Sequence, residues 1–468
     1  MEEETGPAVV SISCGSSHTV ALLEGGVVVS FGKGEDGQLG HGDAESCAAP
    51  RAVSALRGAG VSSIACGAEY SLAVCREAGQ VYSWGWGDFG RLGHGTAADV
   101  FSPHPVAGLA GVAIATVACG DAHTLVAAEG GALYAFGRNQ NGQIGIGTTE
   151  DALAPRRVDA LAGEVVVSVA AGAEHSVVAT ADGRVYAFGW GKYGCLGDGC
   201  REDRLVPTLA LGLEGVHVAQ VAAGWRHSIA VTSDRRLYTF GWGKFGQIGH
   251  GDNEDRLVAS EVAALSGVAV ERAAGGWRHT AAVDAEGRIF TWGWGKFGQL
   301  GLGDDRDRNL PTPVAALAGR RVALLACGWR HTVVTLEGGG LWSWGRGTHH
   351  QLGHGDTADE LAPREVSPGA LRHAADAAAA APAGADGGGG AGGCGCECAP
   401  PVAPADRFAV VPEEEEGGSG DEGGAGPCGG GGGGGGGPGG GGCGGGEAAR
   451  KKARIEVEGG GDAAVPGG

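Results

Sequence analysis

Gly224-Trp225-Arg226-His227-Ser228, Gly276-Trp277-Arg278-His279-Thr280 and Gly328-Trp329-Arg330-His331-Thr332 stand 52 residues apart. Toward the N-terminus the pattern continues as Gly172-Ala-Glu-His-Ser176, Gly120-Asp-Ala-His-Thr124, Gly67-Ala-Glu-Tyr-Ser71 and Gly15-Ser-Ser-His-Thr19, with glycine steps of 52, 53, 52, 52, 52 and 52 along the seven copies. Seventeen or eighteen residues after each glycine comes an aromatic-Gly pair: Phe31-Gly32, Trp84-Gly85, Phe136-Gly137, Phe188-Gly189, Phe240-Gly241, Trp292-Gly293 and Trp344-Gly345. A Leu/Ile-Gly turn follows, as in Gln38-Leu39-Gly40 and Gln299-Leu300-Gly301. A fixed period overrides the domain count that a length of 468 would suggest.

Within one copy, Val218 to Ala223, Ser228 to Thr232 and Leu237 to Phe240 are short β-rich runs between turn residues. Four such strands fill a unit of this length, and seven four-stranded sheets predict an all-β, seven-bladed β-propeller over residues 8–367. An open solenoid would call for atypical capping repeats, whereas the first and last copies here look like the middle ones.

Composition narrows the function. Glycine supplies 97 residues, about three times its usual share, as a chain of turns requires. No apolar run approaches the roughly 20 residues of a membrane span, and Met1-Glu2-Glu3-Glu4 is no signal-peptide start. Thirteen unevenly spaced cysteines read as free thiols in a reducing compartment. A net charge of -20 argues against direct binding of nucleic acid. His18, His123, His175, His227, His279 and His331 recur at one blade position, which suits contacts between blades; an active site is needed once, not six times. No catalytic triad, metal-binding histidine pair or phosphate loop stands out, so neither an enzyme nor a cofactor is expected.

The position held by Ser16, Ala68, Asp121 and Ala173 becomes Trp225, Trp277 and Trp329 in the last three blades, each followed by an arginine. Equivalent positions share one face and one radius, so these indoles should lie side by side with guanidiniums stacked on them, at about 0.5–2 kcal/mol per contact. A second line of aromatics is Trp86, Trp190, Trp242 and Trp294. Coupled indoles form a chromophore that needs no added pigment; a plug for one end of the ring, or a partner's hot spot, is the other reading. Loop charges divide as well: Glu35, Asp36, Asp88 and Asp99 lie in the first two blades, Arg138, Lys192, Lys244, Lys296 and Arg346 in later ones. A face acidic on one side and basic on the other is self-complementary about a two-fold axis, although single exposed pairs give only about 0–1 kcal/mol.

These repeats resemble those of the regulator of chromosome condensation, and the Gly-Trp-Arg-His-Ser/Thr triplet resembles the plant and algal UV-B photoreceptors. The resemblance implies a dark homodimer, held by salt bridges and split by UV-B. Trp277 and Trp225 would be the principal chromophores, with Trp329 auxiliary and Trp86 reaching across from the partner. Arg278 and Arg330 would pair with Asp88, Asp99, Glu35 and Asp36, and Arg138 with Glu174. Phe31, Phe136 and Phe188 replace the tryptophans usual in land plants, which puts light collection by peripheral residues in doubt. A guanine-nucleotide exchange factor and a light-independent scaffold are the alternatives. The exchange factors carry an inserted wedge in one blade and a basic N-terminal arm, whereas here the blade spacing is even and the N-terminus acidic.

Residues 368–468 shift to Gly, Ala, Pro and Glu, a composition that predicts a disordered tail. Within it Phe408-Ala409-Val410-Val411-Pro412, followed by four glutamates, resembles the family's Val-Pro motif. That motif docks onto the WD-repeat propeller of the constitutively photomorphogenic ubiquitin ligase; WD-repeat repressors would be further partners. The spacing of Cys394, Cys396 and Cys398 is not that of a structural zinc site. Arg450-Lys451-Lys452-Ala453-Arg454 reads as a nuclear import signal. The expected location is cytoplasmic and nuclear.

Overall fold

A computed structural model of the protein describes residues 6–380. Each copy of the repeat forms one antiparallel sheet whose four strands lie in sequence order, and seven such sheets make an all-β propeller. The blades span 9–52, 63–105, 114–157, 166–209, 218–261, 270–313 and 322–365. In the fifth, strands Val218–Ala223, His227–Thr232, Leu237–Gly241 and Arg256–Glu261 run from the axis outward. His227–Thr232 is buried at every residue because neighbouring blades cover both its faces, so its sequence does not alternate. The outer strand Arg256–Glu261 is largely half-exposed and does carry charge.

Two contacts set the angle between blades. The aromatic of each aromatic-Gly pair, from Phe31 to Trp344, is fully buried against the Leu/Ile-Gly turn of the preceding blade. That turn glycine has a positive φ, and a β-carbon on Gly301 (φ 69°) would stand 2.6 Å from Trp344 Nε1; no other residue fits there. The second contact is the histidine. His175 Nε2 lies 3.0 Å from Ser228 Oγ, and that hydroxyl donates to the Cys195 carbonyl at 2.6 Å. A hydroxyl that donates its one proton to a carbonyl must accept from the imidazole, so Nε2 carries the proton. The same tie joins His18 to Ser71, His123 to Ser176, His227 to Thr280, His279 to Thr332 and, closing the ring, His331 to Thr19. In blade 2 Tyr70 replaces the histidine and donates to the His123 carbonyl at 2.6 Å. These histidines hold the blades together, as their recurrence implied.

The ordered chain runs past the expected boundary at 367. Helix α1, Pro368–Ala380, buries Leu371, Ala374 and Ala378 on one face. Leu371 and Ala374 join a cluster with Leu23 and Phe31 of blade 1 and Val333 and Leu341 of blade 7. Arg57 donates to the Ala379 carbonyl at 2.7 Å, occupying one of the last-turn acceptors. The helix therefore spans the junction of the two blades where the ring closes. Its alanine-rich sequence, a strong helix former, is masked in a reading by composition because the tail beyond it is also alanine-rich. The described cysteines are all free thiols. Among the described residues no helix is long and apolar enough to cross a membrane, and no group of three or more His, Cys, Asp or Glu is placed to hold a metal.

The histidine ties carry a pH dependence. Burial lowers His18, His123, His227, His279 and His331 to about 3 and His175 to about 4. They stay neutral in the fold while the unfolded chain binds protons below its ordinary value near 6.5, so stability is lost as pH falls from there toward 4. Thermal unfolding between pH 7.5 and 5 should show a falling Tm with uptake of several protons per molecule. A Tm independent of pH over that range would mean that the histidines are not held neutral.

Candidate functional site

The residue two positions before each histidine sits where the inner strand turns over one face of the ring. Its backbone is fixed by the neighbouring blade: the N–H groups of Trp225, Trp277 and Trp329 donate to the carbonyls of Gly276, Trp329 and Gly15 at 3.1–3.2 Å. With Cα positions pinned this way, the three indoles meet. Trp225 and Trp277 are 5.4 Å apart, centroid to centroid, edge to face; Trp277 and Trp329 are 6.0 Å apart with planes inclined by 20°. Trp277 also packs on Trp294 at 5.5 Å, so it has three indole neighbours, while Trp225 adds Trp242 at 6.1 Å. Tyr193, Phe245 and Phe297 alternate with Trp190, Trp242 and Trp294 to make a continuous aromatic arc over blades 4 to 6.

Guanidiniums interleave with this arc. Arg226 lies 3.7 Å above Trp225, Arg278 3.8 Å above Trp277, and Arg330 4.4 Å from the same Trp277 ring. Two cations thus lie against the Trp277 ring, and each contributes an attraction of about 0.5–2 kcal/mol. An electron added to or removed from that ring changes both contacts at once.

Across the mouth of the axial channel, of about 370 Å³, stands a residue to which the sequence assigns no role. Trp225 Nε1 donates to Asp121 Oδ2 at 3.0 Å, over a separation of 104 residues. Burial pushes the Asp121 carboxyl up to about 6; Glu174 adds to the rise, while hydrogen bonds from Trp225 and Trp329 and the charge of Arg91 oppose it. The missed signal was in plain view: Asp121 is the one ionisable residue at the position that the tryptophans occupy.

Trp86 stacks on the Arg91 guanidinium at 4.0 Å. The other charges are more occupied than the sequence implied. Arg138 pairs with Glu174 at 3.2 Å inside one chain. Glu35 and Asp36 engage Lys33, at 3.6 and 3.1 Å, and Lys33 also approaches Glu69 of blade 2 at 3.9 Å; this lysine makes blade 1 less uniformly acidic than expected. Asp99 accepts the Gly87 N–H at 2.9 Å, the loop cap that Asp203, Asp255, Asp307 and Asp359 make in other blades. Asp88 makes no ion pair among the described residues. Val410, Val411 and Pro412 lie outside the described residues.

A propeller of Gly-x-x-His repeats with a guanidinium-stacked indole cluster on one face defines a class within the regulator-of-chromosome-condensation folds. The chain belongs to the RCC1-like domain family, whose description matches residues 1–270 and 114–386. It is 45% identical over 414 residues to the ultraviolet-B receptor UVR8 of Arabidopsis thaliana, covering 88% of this chain and 92% of that one, and is a close homologue of it. It is also 34% identical over 328 residues to the human E3 ubiquitin-protein ligase HERC2, of which it spans only 7%. Human WBSCR16 superimposes with a TM-score of 0.66 at 27% identity, covering 73% of this chain and 94% of that one. Yeast RCC1 (Prp20) also gives 0.66, at 23% identity over 78% and 85% of the two chains, a likeness of fold alone.

The raised Asp121 carboxyl acts opposite in sign to the histidines. The folded state holds a proton that the unfolded chain has released, so this group's contribution grows as pH falls through 6 and its burial penalty is fully present above. Tryptophan fluorescence should titrate with a midpoint near 6, and Asp121→Asn should abolish that step and be no less stable than wild type at pH 8. A step that survives in the variant would take Asp121 out of the cluster.

Proposed function

We propose that this protein is a UV-B receptor whose chromophore is its own tryptophan cluster, a homodimer in darkness that light separates into signalling monomers. The observation that carries the reading is the Trp225-Trp277-Trp329 cluster with two guanidiniums on Trp277. Indoles at 5–6 Å couple strongly because dipole coupling falls with the cube of distance. Excitation of any member reaches Trp277, the one with most indole neighbours. Excitation changes the ring's field on Arg278 and Arg330, the cations that a partner's carboxylates would bind, and so displaces them from those carboxylates. The 45% identity to the ultraviolet-B receptor supports the same reading.

In the dimer, Asp88 is the acid best placed to serve the partner's arginines, since Glu35 and Asp36 are shared with Lys33 and Asp99 caps its own loop. Arg138 and Glu174 pair within the chain and would have to exchange partners to act across the two-fold. Trp86, on the same loop as Asp88, would meet the partner's cluster. The freed monomer would signal by protein contact through Val410-Val411-Pro412 to the WD-repeat domain of a ubiquitin ligase, with WD-repeat repressors as further partners. It carries out no reaction and takes no cofactor, and it would act in cytoplasm and nucleus.

Size-exclusion chromatography before and after UV-B tests the reading. Wild type should shift from dimer to monomer, and Trp277→Phe should stay dimeric under light. Trp344→Phe, in the blade core, should still respond, and Arg278→Ala should be a folded monomer in darkness. Photomonomerisation retained in Trp277→Phe would end the chromophore assignment. Separately, Val411→Ala with Pro412→Ala should leave the light response intact and abolish capture of the ligase domain; capture at wild-type strength would move the partner site elsewhere.

A further inference from the structure

Position 91 is glutamine in five other blades, as Gln38, Gln143, Gln247, Gln299 and Gln351. There the side-chain oxygen accepts the N–H two residues back, from Asp36, Asn141, Phe245, Phe297 and His349, at 2.8–3.0 Å. Arginine has no acceptor and cannot make that bond. In blade 2 the loop takes another shape: Phe89 turns to φ 63°, a conformation that costs a bulky residue about 1–2 kcal/mol. Arg91 is 1% exposed and binds both ways, Nε to the Asp88 carbonyl at 3.0 Å and Nη1 to the Asp121 carbonyl at 3.1 Å, with Trp86 stacked on it at 4.0 Å. Its own carbonyl keeps the common inter-blade tie, accepting from Thr124 at 2.9 Å. The backbone frame is thus shared with the other blades and only the side chain has been put to another use.

We infer that Arg91 is a positioning residue that couples the tryptophan cluster to the Asp88–Trp86 loop of the same chain. The connection is continuous: the Trp225 indole holds the Asp121 carboxylate, the Asp121 carbonyl holds Arg91, and Arg91 holds the Asp88 carbonyl and the Trp86 ring. A change at Trp225 is therefore delivered to the opposite, acidic side of the face, where a two-fold interface would need it. This rests on the reading of that face as a light-broken interface.

The repeat itself supplies the test variant. Arg91→Gln restores the residue of five other blades and should fold; Arg91→Lys keeps the charge but cannot span both carbonyls. The charged groups facing Asp121 are Arg91 and Glu174, with Trp225 and Trp329 as donors. Removing the Arg91 charge should raise the fluorescence midpoint above 6, whereas the lysine should leave it near 6. Amide exchange at 87–90 should speed up in Arg91→Lys, whereas in Arg91→Gln the restored side-chain acceptor should protect the Phe89 N–H. Photomonomerisation of both should need roughly fivefold or more UV-B dose, the loss of one such coupling. An unmoved midpoint in Arg91→Gln, or an unchanged dose response beside a moved midpoint, overturns the coupling. If wild type itself fails to separate under UV-B, the proposed function falls, and the midpoint and exchange arms still decide whether Arg91 links Asp121 to the loop.

Discussion

One hydroxyl per blade grips two points of the blade before it, the histidine Nε2 and the turn carbonyl, and the architecture depends on that grip. Ser228 does this with His175 and Cys195, and Thr19 does it with His331 and Gln351 where the ring closes. Each bond is worth about 1 kcal/mol net but costs more if one partner is left buried and unpaired. Repeated around the ring, with Tyr70 in place of the histidine between blades 2 and 3, the grip ties each blade to the next. Residues two positions before each histidine then share one radius, and whatever side chains stand there must meet their neighbours. The close approach of three indoles is thus a consequence of blade packing, with no dedicated scaffold.

Because that position takes no part in the grip, it is free to vary, and the molecule's chemistry lies where the repeat is broken. Serine and alanine occupy it in three blades, tryptophan in three, and aspartate in one. Other departures come with their own compensation. Tyr70 stands for histidine and reaches further, to a carbonyl of the next blade. His350 takes the positive-φ place of a glycine, with φ 65°; the strand facing it carries Ala48, where the glycines of other blades meet Phe101, Leu153 or Leu361.

Translational symmetry explains what could be read from the sequence. Once one copy is assigned, blade number, strand order, buried aromatics and adjacency of Trp225, Trp277 and Trp329 follow by adding 52. The close match to the ultraviolet-B receptor agrees with the family that the Trp-Arg triplet suggested. Contacts across the ring have no such index: Asp121 reaches Trp225 two blades away, and no period connects them. Arg138 and Glu174, which the resemblance pairs, also stand 3.2 Å apart within one chain. Asp99 was legible, had the twelve-residue step from Gly87 been compared with Gly191/Asp203 and Gly243/Asp255. Helix α1 was hidden by composition alone.

In the proposed function, the cluster's charge is what couples an excited ring to the rest of the face. A guanidinium is attracted to an indole face by an energy comparable to that of an exposed ion pair, about 1 kcal/mol in each case. Arg278 and Arg330 therefore stand near balance between the Trp277 ring and any carboxylate brought within reach, and a shift of ring electron density tips them. Stacking on the Trp277 ring keeps these half-buried cations beside the chromophore. The Asp121 carboxyl accepts an indole N–H of the cluster, and its charge is itself reluctant, with a pKa of about 6.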